Sequence, residues 1–188
     1  VRRFLVLATA LAAVFIGGCE SGPKPVVLIE TSMGNIKVEL NEGDAPVTVK
    51  NFLAYVDDKH YDNTLFHRII GDFMIQGGGY SAVDGKLKPN RIAIKNESYN
   101  GLSNNRGTIS MARTNEPNSA TDQFFINVVD NQKLDRKAGA GNEGYCVFGK
   151  VIEGMDVVDK IRSVKTDNRD APLEPVVIKS IRRVEASQ

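Results

Sequence analysis

The stretch FHRIIGDFMIQGGG, residues 66–79, sets a histidine, an arginine and a glutamine inside what otherwise reads as two short apolar strands. Residues 66–70 and 73–76 are runs of aromatic and β-branched residues, and Gly71 and Asp72 between them are turn formers. A guanidinium and a carboxamide are expensive to place in such a sheet unless something needs their donors. Alternation puts Arg68 on one face of its strand with His67 on the other, and puts Met74 and Gln76 together on one face of the next. If those faces coincide, the donors lie beside apolar walls. The chain has two histidines, His60 and His67. They are too few for a histidine metal site, and any Ser-His-Asp arrangement must use one of them. His67 reads as a satisfied inward histidine rather than a base.

The elements that position these residues follow from hydrophobic period. Residues 26–31 and 35–40 read as strands joined at Ser32-Met33-Gly34 as a hairpin. Ala45-Pro46 opens a helix in which Val49, Phe52, Leu53 and Val56 recur at helical spacing. Further strands are expected at 66–70, 73–76, 107–112, 123–129, 145–152 and 175–184, and a second helix at 155–164. Many strands with two helices and no internal repeat point to an antiparallel barrel closed or capped by helices, because closure removes sheet edges. The long irregular stretches 77–106 and 131–144 are the expected functional loops.

The N-terminus is set apart from this domain. VRRFLVLATALAAVFIGGC carries two arginines, an apolar run and then small residues, the pattern of an export signal that is short for a membrane span. Ile16-Gly17-Gly18-Cys19 resembles the lipobox of bacterial lipoproteins, which implies lipidation of Cys19. Residues 1–18 then form a signal peptide, residues 19–25 a tether and residues 26–188 the folded domain. Cleavage removes Arg2 and Arg3 from the 24 Lys+Arg and nothing from the 23 Asp+Glu, leaving a net charge of −1. With no basic excess, nucleic acid is not an expected partner. The other cysteine, Cys146, lies in the apolar run YCVFGKV and reads as a buried small hydrophobe.

Two motifs fail on context. Residues 139–144, GAGNEG, match GxGxxG but precede a strand, whereas phosphate binding needs a helix N-terminus there. Gly77-Gly78-Gly79 lacks the Lys-Ser/Thr of a P-loop and reads as a sharp exit from a strand. Asn96-Glu97-Ser98 is a formal glycosylation sequon, irrelevant if the lipobox implies a bacterium.

FHRIIGDFMIQGG, then NRGTISMARTNEPNSATDQFFINV, then GYCVFGKVIEGMDVVDKI, in that order, resemble the cyclophilin-type peptidyl-prolyl isomerases, and most closely their bacterial periplasmic branch. The similarity extends from residue 27 to about residue 184. It implies an eight-stranded antiparallel barrel capped by two helices, with no metal or cofactor. By motif, Arg68 matches the family's catalytic arginine, and Phe73, Met74 and Gln76 its active-site phenylalanine, methionine and glutamine. Ala112, Arg113, Phe125 and Leu134 fall at substrate-contacting positions. Two departures stand out: Lys133 replaces a tryptophan common in the family, and Tyr145 replaces a histidine. Residues 113–122 also form a segment one residue longer than the common eukaryotic pattern. The implied partners are proline-containing unfolded or partly folded polypeptides, met by a monomer that is periplasmic and lipid-anchored, at the outer membrane of a Gram-negative bacterium. The competing readings are a proline-binding chaperone and a scaffold lipoprotein without turnover; both would be expected to lose Arg68.

Overall fold

The computed structural model describes residues 24–137, 141 and 143–184. Residues 1–23, with the expected export signal and Cys19, lie outside the described residues, as do residues 139, 140 and 142 of the GxGxxG match. In chain order the strands are β1 (Val26–Thr31), β2 (Gly34–Leu40), β3 (Thr64–Ile70), β4 (Met74–Ser81), β5 (Thr108–Met111), β6 (Phe124–Asn127), β7 (Val147–Glu153) and β8 (Val177–Val184). Helix α1 (Pro46–Asp57) follows β2, and α2 (Met155–Arg162) follows β7. The strands close into one barrel in the order β1-β2-β7-β5-β6-β4-β3-β8, every neighbouring pair antiparallel. The expected eight-stranded barrel with two helices is therefore the observed fold.

Alternation in β1 and β2 sends Val27, Ile29, Ile36, Val38 and Leu40 into the core. The stripe Val49, Phe52, Leu53 and Val56 brings α1 onto the same core, where the Phe52 ring lies 5.2 Å from Tyr61, 5.7 Å from Phe124 and 5.2 Å from Phe148. Each such fully buried side chain contributes roughly 1.5–3 kcal/mol. Ala45, at the N-cap of α1, has no side chain to satisfy the first amides. Glu97 does so from across the fold: its carboxylate accepts from Val47 N at 3.2 Å, Thr48 N at 2.8 Å and Thr48 Oγ1 at 2.7 Å. That buried negative charge also complements the positive helix end. Helix α2 contributes Val157, Val158 and Ile161 to the core.

The structure corrects three local expectations. Strand β4 does not end at the glycines but continues through Gly77, Gly78 and Gly79 to Ser81, so the long loop starts after Ser81. The glycines let rings lie against the strand: a Cβ on Gly78, whose φ is +96°, would stand 2.9 Å from Tyr61 and 3.0 Å from Phe124. In β3 the register passes from Phe66↔Gly77 to Arg68↔Gln76, which makes His67 the extra residue of a bulge. Phe66 and Ile69 both enter the core, so simple alternation, and with it the assignment of His67 and Arg68 to opposite faces, fails here. His67 is satisfied only in part: its ring lies 4.5 Å from Tyr80 and has a backbone hydrogen bond at Leu65, while its buried Nδ1 has no hydrogen-bond partner among the described residues.

Candidate active site

On the outer surface of the barrel the bulge brings Arg68 level with Gln76 on β4; Gln76 pairs with Phe125 on β6, and Phe125 with Ser110 on β5. Ile75, Phe124 and Ile126 belong to the core, so the intervening Met74, Gln76 and Phe125 face outward. Met74 and Phe125 are nonetheless buried, because loops fold over this face. The result is a cavity of about 110 Å³. Arg68, Phe73, Met74, Gln76, Ala112 and Arg113 line it together with Phe125, Leu134 and Tyr145. All nine residues singled out for substrate in the sequence thus meet at one place.

Each wall has its own support. Phe125 and Tyr145 meet edge to face with ring centroids 5.7 Å apart, and the Arg113 guanidinium sits 4.4 Å from the Tyr145 ring centre while its Nε donates to Gly144 O at 3.1 Å. The segment 113–122 is braced internally, since Thr114 N donates to Ser119 Oγ and Ser119 Oγ to Glu116 O. Lys133, in the single turn Gln132–Leu134, holds its ammonium 4.7 Å from the Phe73 ring centre, so the aromatic face at this rim belongs to Phe73 and carries a cation.

Beneath the walls lies a buried amide network that motif reading did not single out. Asn131 Nδ2 donates to Phe73 O at 2.7 Å and to Asn127 Oδ1 at 2.8 Å. Asn104 Nδ2 donates to Asp135 Oδ1 at 2.9 Å and Tyr145 O at 3.3 Å, while Tyr145 N donates to Leu134 O at 2.9 Å. These bonds tie Phe73, Leu134 and Tyr145 to one another. The sequence signal was the run of asparagines at 104, 127 and 131, legible only once their strands and loops are adjacent.

Two further residues set the donors. Asp170 Oδ2 accepts from Arg68 Nε at 3.3 Å, and Asp170 O accepts from Ile69 N at 2.8 Å. Asp170 itself is held at φ +64° in a turn where Asp167 Oδ1 accepts from Arg169 N and Ala171 N. Using Nε leaves both terminal nitrogens of the Arg68 fork for another acceptor. The pair is about two-fifths exposed, so its value is orientation rather than stability. Gln76 Nε2 donates to Gln123 Oε1 at 3.0 Å, which fixes the carboxamide and leaves one N–H for a ligand. A second cavity of about 170 Å³ adjoins the first along Gln76, Ala112 and Arg113 and continues over Thr114, Ser119 and Gln123. A larger cavity of about 290 Å³ lies elsewhere, around Lys24, Glu39 and Lys150, away from these donors.

Burial holds two titratable groups near the site in their neutral forms. Burial drives the His67 pKa down to about 4, opposed by a backbone hydrogen bond at Leu65, so the ring is neutral at physiological pH. Burial pushes the Cys146 thiol up to about 11, and the side chain is enclosed, in keeping with a small core hydrophobe. His60 Nε2 binds Asp122 Oδ2 at 2.9 Å, but the hydroxyl of this set, Thr121 Oγ1, donates to Asp122 Oδ1 rather than facing the imidazole. That order cannot activate a nucleophile. What remains is an apolar recess flanked by N–H donors, suited to hold a ring and polarise an amide without cleaving it.

The architecture is thus a closed antiparallel barrel that carries a small apolar recess, flanked by N–H donors, on its outer face. Residues 26–183 match the family model for cyclophilin type peptidyl-prolyl cis-trans isomerases, and the chain belongs to that family. It is 54% identical over 159 residues to a peptidyl-prolyl cis-trans isomerase of Streptomyces antibioticus, covering 82% of this chain and 95% of that protein. It is 50% identical over 161 residues to peptidyl-prolyl cis-trans isomerase B of Escherichia coli, covering 83% and 98%. A crystal structure of a cyclophilin type isomerase from Cryptosporidium parvum superposes with a TM-score of 0.74 at 30% identity, covering 87% of this chain and 99% of that one. The same protein was also solved in the presence of the dipeptide Ala-Pro. The chain is thus a peptidyl-prolyl cis-trans isomerase.

Proposed function

We propose that this isomerase turns X-Pro bonds in exported polypeptides, as a monomer held in the periplasm by lipid on Cys19, with Arg68 as its principal catalytic donor. The observation that supports the mechanism best is the side-by-side pairing of Arg68 and Gln76 over an apolar recess. An X-Pro amide rotates slowly because conjugation gives it double-bond character, with a barrier of about 18–20 kcal/mol. No bond to a heavy atom breaks, so the task is differential binding of the twisted amide. Phe73, Met74, Phe125, Leu134 and Tyr145 hold the proline ring. Gln76 donates its free N–H to a backbone carbonyl of the bound chain. As the amide twists, the nitrogen lone pair leaves conjugation and becomes an acceptor, and an Arg68 terminal N–H meets it. That bond strengthens only in the transition state, which is where it lowers the barrier.

The export context is supported by the charged, apolar and small-residue order of residues 1–18 and by the lipobox-like Ile16-Gly17-Gly18-Cys19. Clients are then unfolded or partly folded chains carrying proline, met after translocation. A protease-coupled assay of proline isomerisation on the domain from Val26 onward tests the catalytic part. Acceleration of cis-to-trans conversion is expected; saturable proline-peptide binding without acceleration would favour a chaperone-like binder instead.

A further inference from the structure

Beneath Gln76 and Gln123 lies a buried histidine–carboxylate hydrogen bond that the isomerisation step does not use. Asp122 is 1% exposed, and both its carboxylate oxygens are engaged, Oδ1 by Thr121 Oγ1 at 2.9 Å and Oδ2 by His60 Nε2 at 2.9 Å. The same short segment is held at every backbone acceptor: Ala120 O takes Ile94 N at 2.9 Å, Thr121 O takes Asn51 Nδ2 at 2.6 Å, and Asp122 O takes Tyr61 OH at 2.9 Å. The next residue, Gln123, is the one whose Oε1 fixes the Gln76 carboxamide. Its side chain fills the space above Gly79, where even a Cβ would come within 2.6 Å of it. Its backbone O accepts from Ala112 N at 2.9 Å, so the segment also aligns a second pocket wall.

We propose that His60 is a positioning residue for the isomerase. It holds Asp122, and through Asp122 the register and height of Gln123, so that Gln123 orients Gln76 toward the bound chain. The His60 ring is itself fixed, 4.6 Å from the Tyr55 ring and 5.5 Å from the Tyr61 ring, and Lys88 Nζ donates to the His60 backbone O. A ring clamped in this way presents Nε2 at one point. Without that donor the Asp122 carboxylate is buried with one oxygen unpaired, and relief requires the segment to move or the carboxyl to take up a proton. Either change shifts Gln123 by a fraction of an ångström to an ångström, and displacements of that order at an active site cost about ten- to a hundredfold in rate. The inference rests on the isomerase reading of the pocket, and the experiment separates the two.

The test is kcat/KM for a proline peptide, measured on the full chain well below the melting temperature of each variant. His60→Phe keeps the ring and loses the donor; a loss of about tenfold is expected. His60→Gln places an amide N–H near the Nε2 position and should recover activity to within about threefold, whereas His60→Asn, too short to reach, should not. The decisive arm is a double-mutant cycle: in a Gln123→Ala background, His60→Phe should cost little more, because the contact it supports is already gone. Wild-type activity in His60→Phe, or a loss that simply adds to that of Gln123→Ala, overturns the proposal. Should His60→Phe fail to fold, the Gln-against-Asn comparison carries the same decision. An inactive wild-type protein would instead refute the isomerase reading itself.

Discussion

Arg68 is the side chain of which the chemistry asks most, since it must stay charged, aimed and partly unpaired. Arg68→Ala should fold normally, because the residue is exposed, and lose roughly 10²-fold or more in kcat/KM, the scale for removing one transition-state donor. Near-wild-type turnover would remove Arg68 from the mechanism. Activity should be nearly flat between about pH 6 and 9, because arginine does not titrate there and His67, lowered to about 4, is already neutral. Stability should not be flat. A histidine whose folded pKa lies below its unfolded value of about 6.5 leaves the unfolded state binding more protons between the two, so stability falls as pH drops from about 6.5 toward 4, by up to about 3 kcal/mol. Urea melts at pH 7 and 4.5 on wild type and His67→Phe check this: the variant should lose less on acidification, and an equal loss in both would assign the effect elsewhere. At the rim, the Lys133 ammonium over Phe73 must shed water before a large N-methylated ligand can pack there. The cyclic peptide cyclosporin, an inhibitor associated with the family, should therefore bind weakly, and Lys133→Trp should tighten it by about tenfold or more. Titration of both proteins decides the matter, with equal potency showing that this position does not set affinity.

Among the elements, β4 is closely constrained along its backbone. It carries Met74 and Gln76 outward, then passes Gly77 beneath the Phe66 ring, Gly78 beneath the Tyr61 and Phe124 rings and Gly79 beneath the Gln123 side chain. Gly78→Ala would add a methyl group where rings stand at 2.9–3.0 Å, on a residue whose φ of +96° disfavours any side chain. Together these should cost about 2–4 kcal/mol. A lowered urea midpoint at an unchanged slope is the expected result; an unaltered midpoint would mean that the aromatic layer has room to yield. The bulge in β3 does comparable work, because without the extra residue Arg68 would follow Phe66 into the core side of the sheet rather than pair with Gln76 outside.

For the whole molecule, the barrel is sealed by β1 pairing with β8, which brings the chain's first described strand beside its last. Residues 24 and 25 are the part of the expected tether that is described, so the proposed anchor would enter next to this seam. In the lipoprotein reading, stable membrane attachment needs more than one acyl chain, supplied at Cys19. Cys19→Ser should therefore leave a precursor that is unprocessed or mislocalised and carries no lipid, as read by mass spectrometry and membrane fractionation. Recovery of the variant with wild-type lipid mass and distribution would refute the lipobox reading while leaving the isomerase domain untouched.

What the sequence determined alone are the properties that repeat over short distances. The period-two runs of β1 and β2, the stripe Val49, Phe52, Leu53 and Val56, and the order of the three motifs follow from neighbours a few residues apart, and they were enough for the barrel, its two helices and the family. The tertiary structure decided what depends on which strands meet. Alternation could not foresee the bulge at His67, because a bulge is a mismatch between two strands rather than a property of either. The Asp170 carboxylate reaches Arg68 across 102 residues, Glu97 reaches the amide of Thr48 across 49, and His60 reaches Asp122 across 62. None of these pairs has a local signature: the exposed Arg68–Asp170 pair depends on β3 meeting a distant turn, and in the two buried pairs a carboxylate facing a donor costs or gains little until both are desolvated together. Barrel closure performs that desolvation, and it is the sum of many weak apolar contacts around the ring of strands that chooses which polar groups end up face to face.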